Sequence, residues 1–557
     1  MFIEKLYAGE FDADLFRASG PTRDETKVGR IIARYRETLL DHGPGPIEDE
    51  GGIPRELLAE MGRAGYFGLS IEERYGGVGL NLWEYLKVVE EMVKLDISIA
   101  IAFLAHLSIG VKAIQLFGTE EQRQKYLPPA ASGQMIFSYA LTEPRIGSDA
   151  QHIETVALAD EGGRHYILNG RKAYITNANY AGGLTAFAQL DPKRPGFMGA
   201  FIVETGWEGV KVGKEMPKMG LKASSTAAIQ FKNVRVPSEN LIGRPGDGFR
   251  IAMSVLNYGR LGLGAASTAV LEVSARDMLE RASRRVQFQV PIKTFQLVQE
   301  KIVRARVNAA VSSAMNDFAA ALLHKDPLGN VAIETSHCKL FGTTRAWDAV
   351  YEALQVAGGS GYLKTQPYEK RMRDFRVVTV FEGTTEIHSI YPALFGMRRL
   401  AGIMKERGLS GRSRVAWLLG LLSGRRKSPV RFDNPVMRKA LAEAESCAGA
   451  ARRLIVPAML LHGKKIAQGK IADREFLLRR ITTLSLYMFG ILALLSRMAG
   501  KENGRRLGAG ELDILAYFTQ EAREARRENS RFRDSKKERV GSAVFAGFEK
   551  EGESDRP

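Results

Sequence analysis

Glu382 follows the apolar run 377–381 and precedes Gly383, in Phe381-Glu382-Gly383-Thr384-Thr385-Glu386. A carboxylate in apolar surroundings loses hydration, its pKa rises and it can act as a general base, while the glycine lets a ligand approach closely. A second segment, Tyr139-Ala140-Leu141-Thr142-Glu143-Pro144-Arg145-Ile146-Gly147-Ser148-Asp149-Ala150, follows a strand-like run. Its bends expose backbone amides and hydroxyls able to hold an anionic or carbonyl-rich ligand. In a third, residues 169–178, Tyr174 and Thr176 fall two apart on one strand face, where one can stack on a ring and the other donate to it. Each segment alone also fits an ordinary loop, turn or surface strand.

These residues need elements to position them. Helical apolar spacing runs through 56–66, 82–93 and 98–116, separated by turn signals such as Tyr75-Gly76-Gly77. Between 137 and 241 the pattern changes to short alternating stretches at 153–158, 166–168, 185–189, 200–203 and 228–236, which predicts antiparallel strands. Long helical patterns return at 255–284 and 295–323, with a glycine-rich break at 357–361. The reading is a mostly helical α+β chain with a helical domain 1–134, a β-domain 135–245, a helical bundle 246–404 and a basic helical extension 405–557. The charge-free run 481–496 is expected to be a buried core helix, and the stretch from Arg523 to include a disordered tail.

The chain has 557 residues, 45% apolar and 26% charged, which fits a multidomain globular protein. Its two cysteines, Cys338 and Cys447, are expected to be buried thiols of a reduced, intracellular chain. Residues 1–16 carry four acids and no apolar centre, unlike a signal or transit peptide. No phosphate loop, zinc spacing or glycine fingerprint after a strand is present, and no metal is expected. Of the net charge of +17, residues 403–557 carry +14. That asymmetry points to an anionic partner for the last third.

In order and spacing the three segments resemble the acyl-CoA dehydrogenase family. Supporting pieces are Tyr75-Gly76-Gly77-Val78-Gly79-Leu80-Asn81, Phe117-Gly118-Thr119-Glu120 with Tyr126-Leu127-Pro128, and Val234-Arg235-Val236-Pro237-Ser238-Glu239-Asn240. The resemblance implies a helical N-terminal domain, a middle β-domain and a C-terminal four-helix bundle around FAD. It places Tyr139, Leu141, Thr142, Gly147 and Ser148 in a flavin-binding loop, with Ser148 also near the thioester. Tyr174, Ile175 and Thr176 would line the flavin, although the family usually has Trp where Tyr174 stands. Arg285, Phe288, Gln355, Gly358 and Gly359 match positions that contact FAD across a subunit boundary, implying a homodimer. Thr384 and Glu386 match adenine-side contacts, and Asn257, Arg260 and Gly383 match substrate positions. One branch carries its base where this chain has Gly259, so the role of base falls on Glu382. The implied reaction is α,β-dehydrogenation of an acyl-CoA, with electrons passed to electron-transfer flavoprotein.

The extension and the wording of Lys218-Met219-Gly220-Leu221-Lys222-Ala223-Ser224 and Asn257-Tyr258-Gly259-Arg260-Leu261-Gly262 resemble the very-long-chain branch. Within it, residues 408–431 place Arg412, Arg414, Arg425, Arg426, Lys427 and Arg431 around an apolar centre with Trp417, the pattern of a helix on an anionic membrane surface. No recognition module for nucleic acid accompanies the charge. The expected location is cytoplasmic and peripheral on the inner membrane, or the mitochondrial inner membrane for a mature eukaryotic form. Another chain length, a branched substrate, or a respiratory-complex assembly factor retaining the fold are the alternatives.

Overall fold

The structure is a computed structural model and describes residues 2–17, 23–42, 47–48, 51–423, 428–467, 474–502 and 508–554. The chain divides into two compact units, Ser19–Thr385 and Met1–Ala18 with Glu386–Pro557. The first eighteen residues therefore group with the C-terminal helices, and not with the helical domain assigned to 1–134.

In the larger unit, side chains that satisfy backbone amides start the early helices. Asn81 accepts from the Glu84 amide at 3.1 Å while Glu84 accepts from the Asn81 amide at 2.9 Å, opening helix Leu82–Leu95. Asp96 caps the next, Ile97–Leu104, through the Ile99 amide at 2.9 Å. Three long helices, Gly248–Arg284, Gln296–Lys325 and Ala332–Ala357, pack on one another and on Leu82–Leu95. Small residues permit the close approach: a Cβ at Gly262 would overlap the Leu104 side chain, and one at Gly264 the Asn316 amide. Most of the middle of Gly248–Arg284 is buried on all sides.

Between the early helices and Gly248–Arg284 in chain order comes a sheet ordered β6-β7-β3-β2-β4-β5-β8, with β1 also paired to β4. The strands are β1 (Ile136–Ala140), β2 (Val156–Ala159), β3 (His165–Thr176), β4 (Ala181–Gln189), β5 (Met198–Glu204), β6 (Val210–Val212), β7 (Thr226–Pro237) and β8 (Leu241–Gly246). The expected sheet was antiparallel throughout, but β1 runs parallel to β4, and β2 meets β4 in parallel at Val156 and Gln189. Parallel neighbours need a long crossover, and the chain between β1 and β4, containing the β2–β3 hairpin, supplies it. Leu168, Ile175, Leu184, Phe201 and Val234 fill the sheet's core.

The smaller unit is helical: Phe2–Tyr7, Ala13–Arg17, Thr385–Glu406, Gly411–Ser423, Pro435–Ala467, Glu475–Glu502, Ala509–Asn529 and Lys536–Ser554. Arg452 donates to the Leu6 carbonyl at 3.1 Å, tying the start of the chain to this bundle. Two runs among the described residues, Ile97–Phe117 and Glu475–Ala499, are long and apolar enough to cross a membrane, and their apolar windows are 89% and 83% buried inside the protein. The run 481–496 is therefore core, as expected. The tail from Arg523 differs from expectation: it continues the helix to Asn529 and then forms Lys536–Ser554. Mixed charge there supports exposed helical faces. Cys338 and Cys447 are free and buried.

Candidate active site

Glu382 sits just beyond the short turn Val377–Thr379, at φ +55°, followed by Gly383 at φ +102°. A left-handed glutamate is strained and persists only where its surroundings hold it. Lys339, fully buried on helix Ala332–Ala357, donates to the Gly383 carbonyl at 2.6 Å. The preceding helix, Pro367–Arg376, is fixed to the middle domain by the Leu221 amide, which donates to Asp374 Oδ1 at 2.6 Å. A Cβ at Gly220 would overlap the backbone of Arg373 and Asp374.

The Glu382 carboxylate lies against the Cα of Gly259, where any side chain would overlap it. Its Oε2 is shut off from solvent, although the residue as a whole is half-buried. Burial raises its pKa to about 7, against the opposing pull of the Arg260 and Lys339 cations. Burial also raises Tyr139 and Tyr85 above the usual phenol range, and for each the nearby Glu382 charge adds to the rise. Tyr139 donates to the Ala252 carbonyl at 3.2 Å and its ring meets Phe187 at 5.0 Å. Glu382, Gly259, Arg260, Lys339, Tyr139 and Tyr85 thus form one enclosed cluster around a carboxylate poised near neutrality.

The loop after β1 is shaped by a buried ion pair. Glu143 and Lys172, 1% and 0% exposed, meet at 2.8 Å. Glu143 also accepts from the amides of Glu154 and Thr155, and Lys172 donates to the Leu141 carbonyl at 3.1 Å. Burial works against the Glu143 carboxylate, but Lys172 and these amides outweigh it and leave its pKa below the usual value. Burial draws Lys172 down to about 8 in spite of Glu143. Thr142 receives the Ala173 amide at 2.9 Å, so loop and β3 share an edge. Gly147 and Ser148 are exposed at the loop tip.

On β3, register shifts between Lys172 and Ile175, and Tyr174 takes φ +59°. Tyr174 is 64% exposed, whereas Ile175 is 2% exposed and packs in the sheet core. The Ile175 side chain therefore faces the core, whereas Tyr174 is exposed and Thr176 half-buried, and the left-handed Tyr174 interrupts the alternation that would put the two on one strand face. Asn257 and Arg260, expected as contacts to the substrate's CoA part, are each 6% exposed. Thr335 donates to Asn257 at 3.1 Å. Arg260 turns inward beside the base, and its charge acts on Glu382.

Arg285, Phe288, Gln355, Gly358 and Gly359 gather on one exposed edge, where Arg281 donates to the Ala357 carbonyl at 3.3 Å and to Ser360 at 3.2 Å. Phe288 is 89% exposed, in the hairpin Val286–Gln287/Val290–Pro291. Among the described residues no hydrogen bond or ring contact joins this edge to Tyr174 or Thr176. Thr384 is half-buried, and the exposed Glu386 lies in the first turn of Thr385–Glu406, where a helix dipole favours an acid. Lys339, Tyr85 and the Glu143–Lys172 pair were missed by sequence reasoning. Lys339 and Tyr85 had one weak signal, a polar group within an otherwise apolar helical face, and the ion pair had none.

Comparison with known proteins agrees with this geometry. Residues 30–134, 138–234 and 246–391 match the acyl-CoA dehydrogenase N-terminal, middle and C-terminal domains. The human protein "Very long-chain specific acyl-CoA dehydrogenase, mitochondrial" is 35% identical over 491 residues, covering 84% of this chain and 73% of that one. A Bacillus subtilis acyl-CoA dehydrogenase is 35% identical over 371 residues, 66% of this chain and 97% of that one. A Bacillus anthracis acyl-CoA dehydrogenase solved in complex with FAD superposes with a TM-score of 0.80 at 26% identity, over 97% of this chain and 94% of that one. The chain belongs to the acyl-CoA dehydrogenase family.

Proposed function

We propose that the chain is an FAD-dependent dehydrogenase of long-chain acyl-CoA thioesters, with Glu382 as the base. The observation that carries this reading is the Glu382 carboxylate enclosed against Gly259 with its pKa near 7. The residues fit a flat ring cofactor: Tyr174, 64% exposed, stands on β3 beside a loop whose Gly147 faces open space, an aromatic surface with reason to be covered. Leu141, Thr142, Tyr174 and Thr176 would hold its ring system and Ser148 its phosphate end. When bound, FAD supplies the acceptor for the β-hydride, and the electrons pass to an electron-transfer flavoprotein.

The protein's own part is proton chemistry. Glu382 takes the α-proton, and its backbone N–H donates to the thioester carbonyl, making that proton more acidic. Loss of the α-proton and β-hydride leaves a trans-2-enoyl thioester. Enclosure keeps water from the carboxylate and preserves its basicity. The exposed edge carrying Phe288 and Gln355 supports a dimer in which each copy completes the other's cofactor site. On helix Gly411–Ser423, Val415, Leu419 and Leu422 are exposed beside Arg412 and Arg414, which supports contact with an anionic membrane. Trp417 is half-buried beneath Arg407, and Arg425, Arg426 and Lys427 lie outside the described residues. Anaerobic bleaching of bound flavin by acyl-CoAs of increasing chain length tests the reading: bleaching strongest with long thioesters supports it, and no bleaching by any overturns it.

A further inference from the structure

Two consecutive residues at the base, Glu382 and Gly383, have positive φ, +55° and +102°. A glutamate keeps such a backbone only where its surroundings impose it. The approach to the turn is fixed from nearby. Helix Pro367–Arg376 is tied to the middle domain through Asp374, and the Thr379 hydroxyl accepts from the Arg376 guanidinium at 2.6 Å and donates to the Arg376 carbonyl at 3.0 Å. At the turn itself the Gly383 carbonyl accepts from Lys339 at 2.6 Å, a bond that crosses 44 positions of chain.

Lys339 stands in a rigid frame. It is 0% exposed on helix Ala332–Ala357, and its carbonyl takes the Thr343 hydroxyl at 2.8 Å. That helix meets Gly248–Arg284 closely: a Cβ at Gly342 would lie 3.0 Å from the Ser267 Cβ, and Thr335 donates to Asn257 at 3.1 Å. Asn257 is two positions before Gly259, against which the Glu382 carboxylate rests. The helix that bears the lysine and the helix that seats the carboxylate are thus held at one spacing, and the lysine side chain spans the gap from the first to the turn.

A carbonyl needs only a neutral donor, and burying an ammonium is costly. The charge finds its use in Glu382. Burial raises the Glu382 pKa to about 7, and the cations that oppose the rise are Arg260, from helix Gly248–Arg284, and Lys339. The titratable groups facing the carboxylate from the remaining elements, Tyr139 on β1 and Tyr85 on Leu82–Leu95, are phenols that burial holds protonated through neutral pH.

We propose that Lys339 is a positioning residue for the dehydrogenation: through the Gly383 carbonyl it holds the turn in the conformation that presents both the Glu382 carboxylate and the Glu382 backbone N–H to the substrate, and its buried positive charge stabilises the carboxylate form. The proposal deepens the reading of Glu382 as the base and rests on it. Lys339 acts on the carboxylate and on the backbone that carries it.

The test follows anaerobic flavin reduction by a long-chain acyl-CoA across pH, with rates taken per bound flavin and Tm recorded for each variant. Lys339→Met removes the donor and the charge while keeping most of the side-chain volume. It should lower the high-pH plateau of the rate by about 30-fold or more, with the half-saturating substrate concentration within about threefold of native. The rise in rate should also move to higher pH by about one unit or more. Lys339→Arg, which keeps a charged donor, should restore the native pH of the rise and a plateau within about tenfold of native. If Lys339→Met does not retain flavin, Lys339→Gln, which keeps a donor and loses the charge, decides by the same move in pH. A flavin-bearing Lys339→Met or Lys339→Gln whose rise stays at the native pH overturns the proposal. A Lys339→Met plateau within about threefold of native also overturns it, since that is the outcome for a lysine that only supports the fold. Those results leave Glu382 standing as the base, whereas a native rate and pH profile in Glu382→Gln overturns both.

Discussion

Gly259 and Glu382 share one small space, and that contact makes the residue at 259 a condition for the base at 382. Gly259→Ala should push the carboxylate aside and lower kcat by about 10²-fold or more with flavin retained, measured by steady-state turnover. The active form of the base is the carboxylate, so kcat/KM should rise with pH through about 7 and level off above it. Arg260 lowers that pKa, so Arg260→Met should move the rise to higher pH. A profile unchanged in Arg260→Met would separate Arg260 from the base. The apolar approach to Glu382 and the glycine after it allowed a desolvated carboxylate but also an ordinary loop glutamate, and the family resemblance chose between them. The Arg260 contact was not legible, since helical spacing alone does not say whether a residue near the start of a long helix turns inward or toward a ligand. Lys339, 43 positions before Glu382 in the chain, reaches the same turn only through tertiary packing.

At the scale of elements, the loop after β1 depends on the ion pair between Glu143 and Lys172. Glu143→Gln leaves Lys172 buried without its charge partner, and denaturant unfolding should show a loss of about 3–5 kcal/mol. Glu143's folded pKa is depressed, so its stabilisation is present above the unfolded carboxyl value and fades as pH falls through the lower, folded one. Helix Gly411–Ser423 carries the membrane reading. Replacing Val415, Leu419 and Leu422 together by Ser should weaken binding to anionic vesicles by about tenfold or more while soluble-substrate activity persists, as measured by co-sedimentation. Unchanged binding would refute it. Helices and most strands were visible in the apolar spacing, because burial on one face imposes a period. The parallel pairing of β1 with β4 was not, because strand partners are chosen by the crossover and not by the strand's own pattern. The helix Lys536–Ser554 was missed for a related reason: its exposed Val540, Val544 and Phe548 repeat at helical spacing, but the surrounding mixed charge reads as tail.

Over the whole molecule, the chemistry is concentrated in the larger unit, and the basic charge in the smaller one. In the proposed dimer the exposed Phe288 edge completes the cofactor site of a second copy. Phe288→Ala should leave Tm nearly unchanged, as expected for a surface substitution, yet weaken FAD retention on gel filtration. Full retention would argue against a shared cofactor site. The three-domain order was recognisable because the apolar period switches from helical to strand-like and back along the chain, while the grouping of residues 1–18 with the C-terminal helices is a long-range contact that no local pattern announces. The central claim is that Glu382 removes the α-proton. It is tested most directly by the rate at which a long-chain acyl-CoA anaerobically bleaches the flavin of the native protein and of Glu382→Gln, followed across pH. The native rate should climb through pH of about 7, and Glu382→Gln should keep its flavin yet bleach slower by about 10³-fold or more. A variant that bleaches at the native rate with the same pH profile would contradict the account.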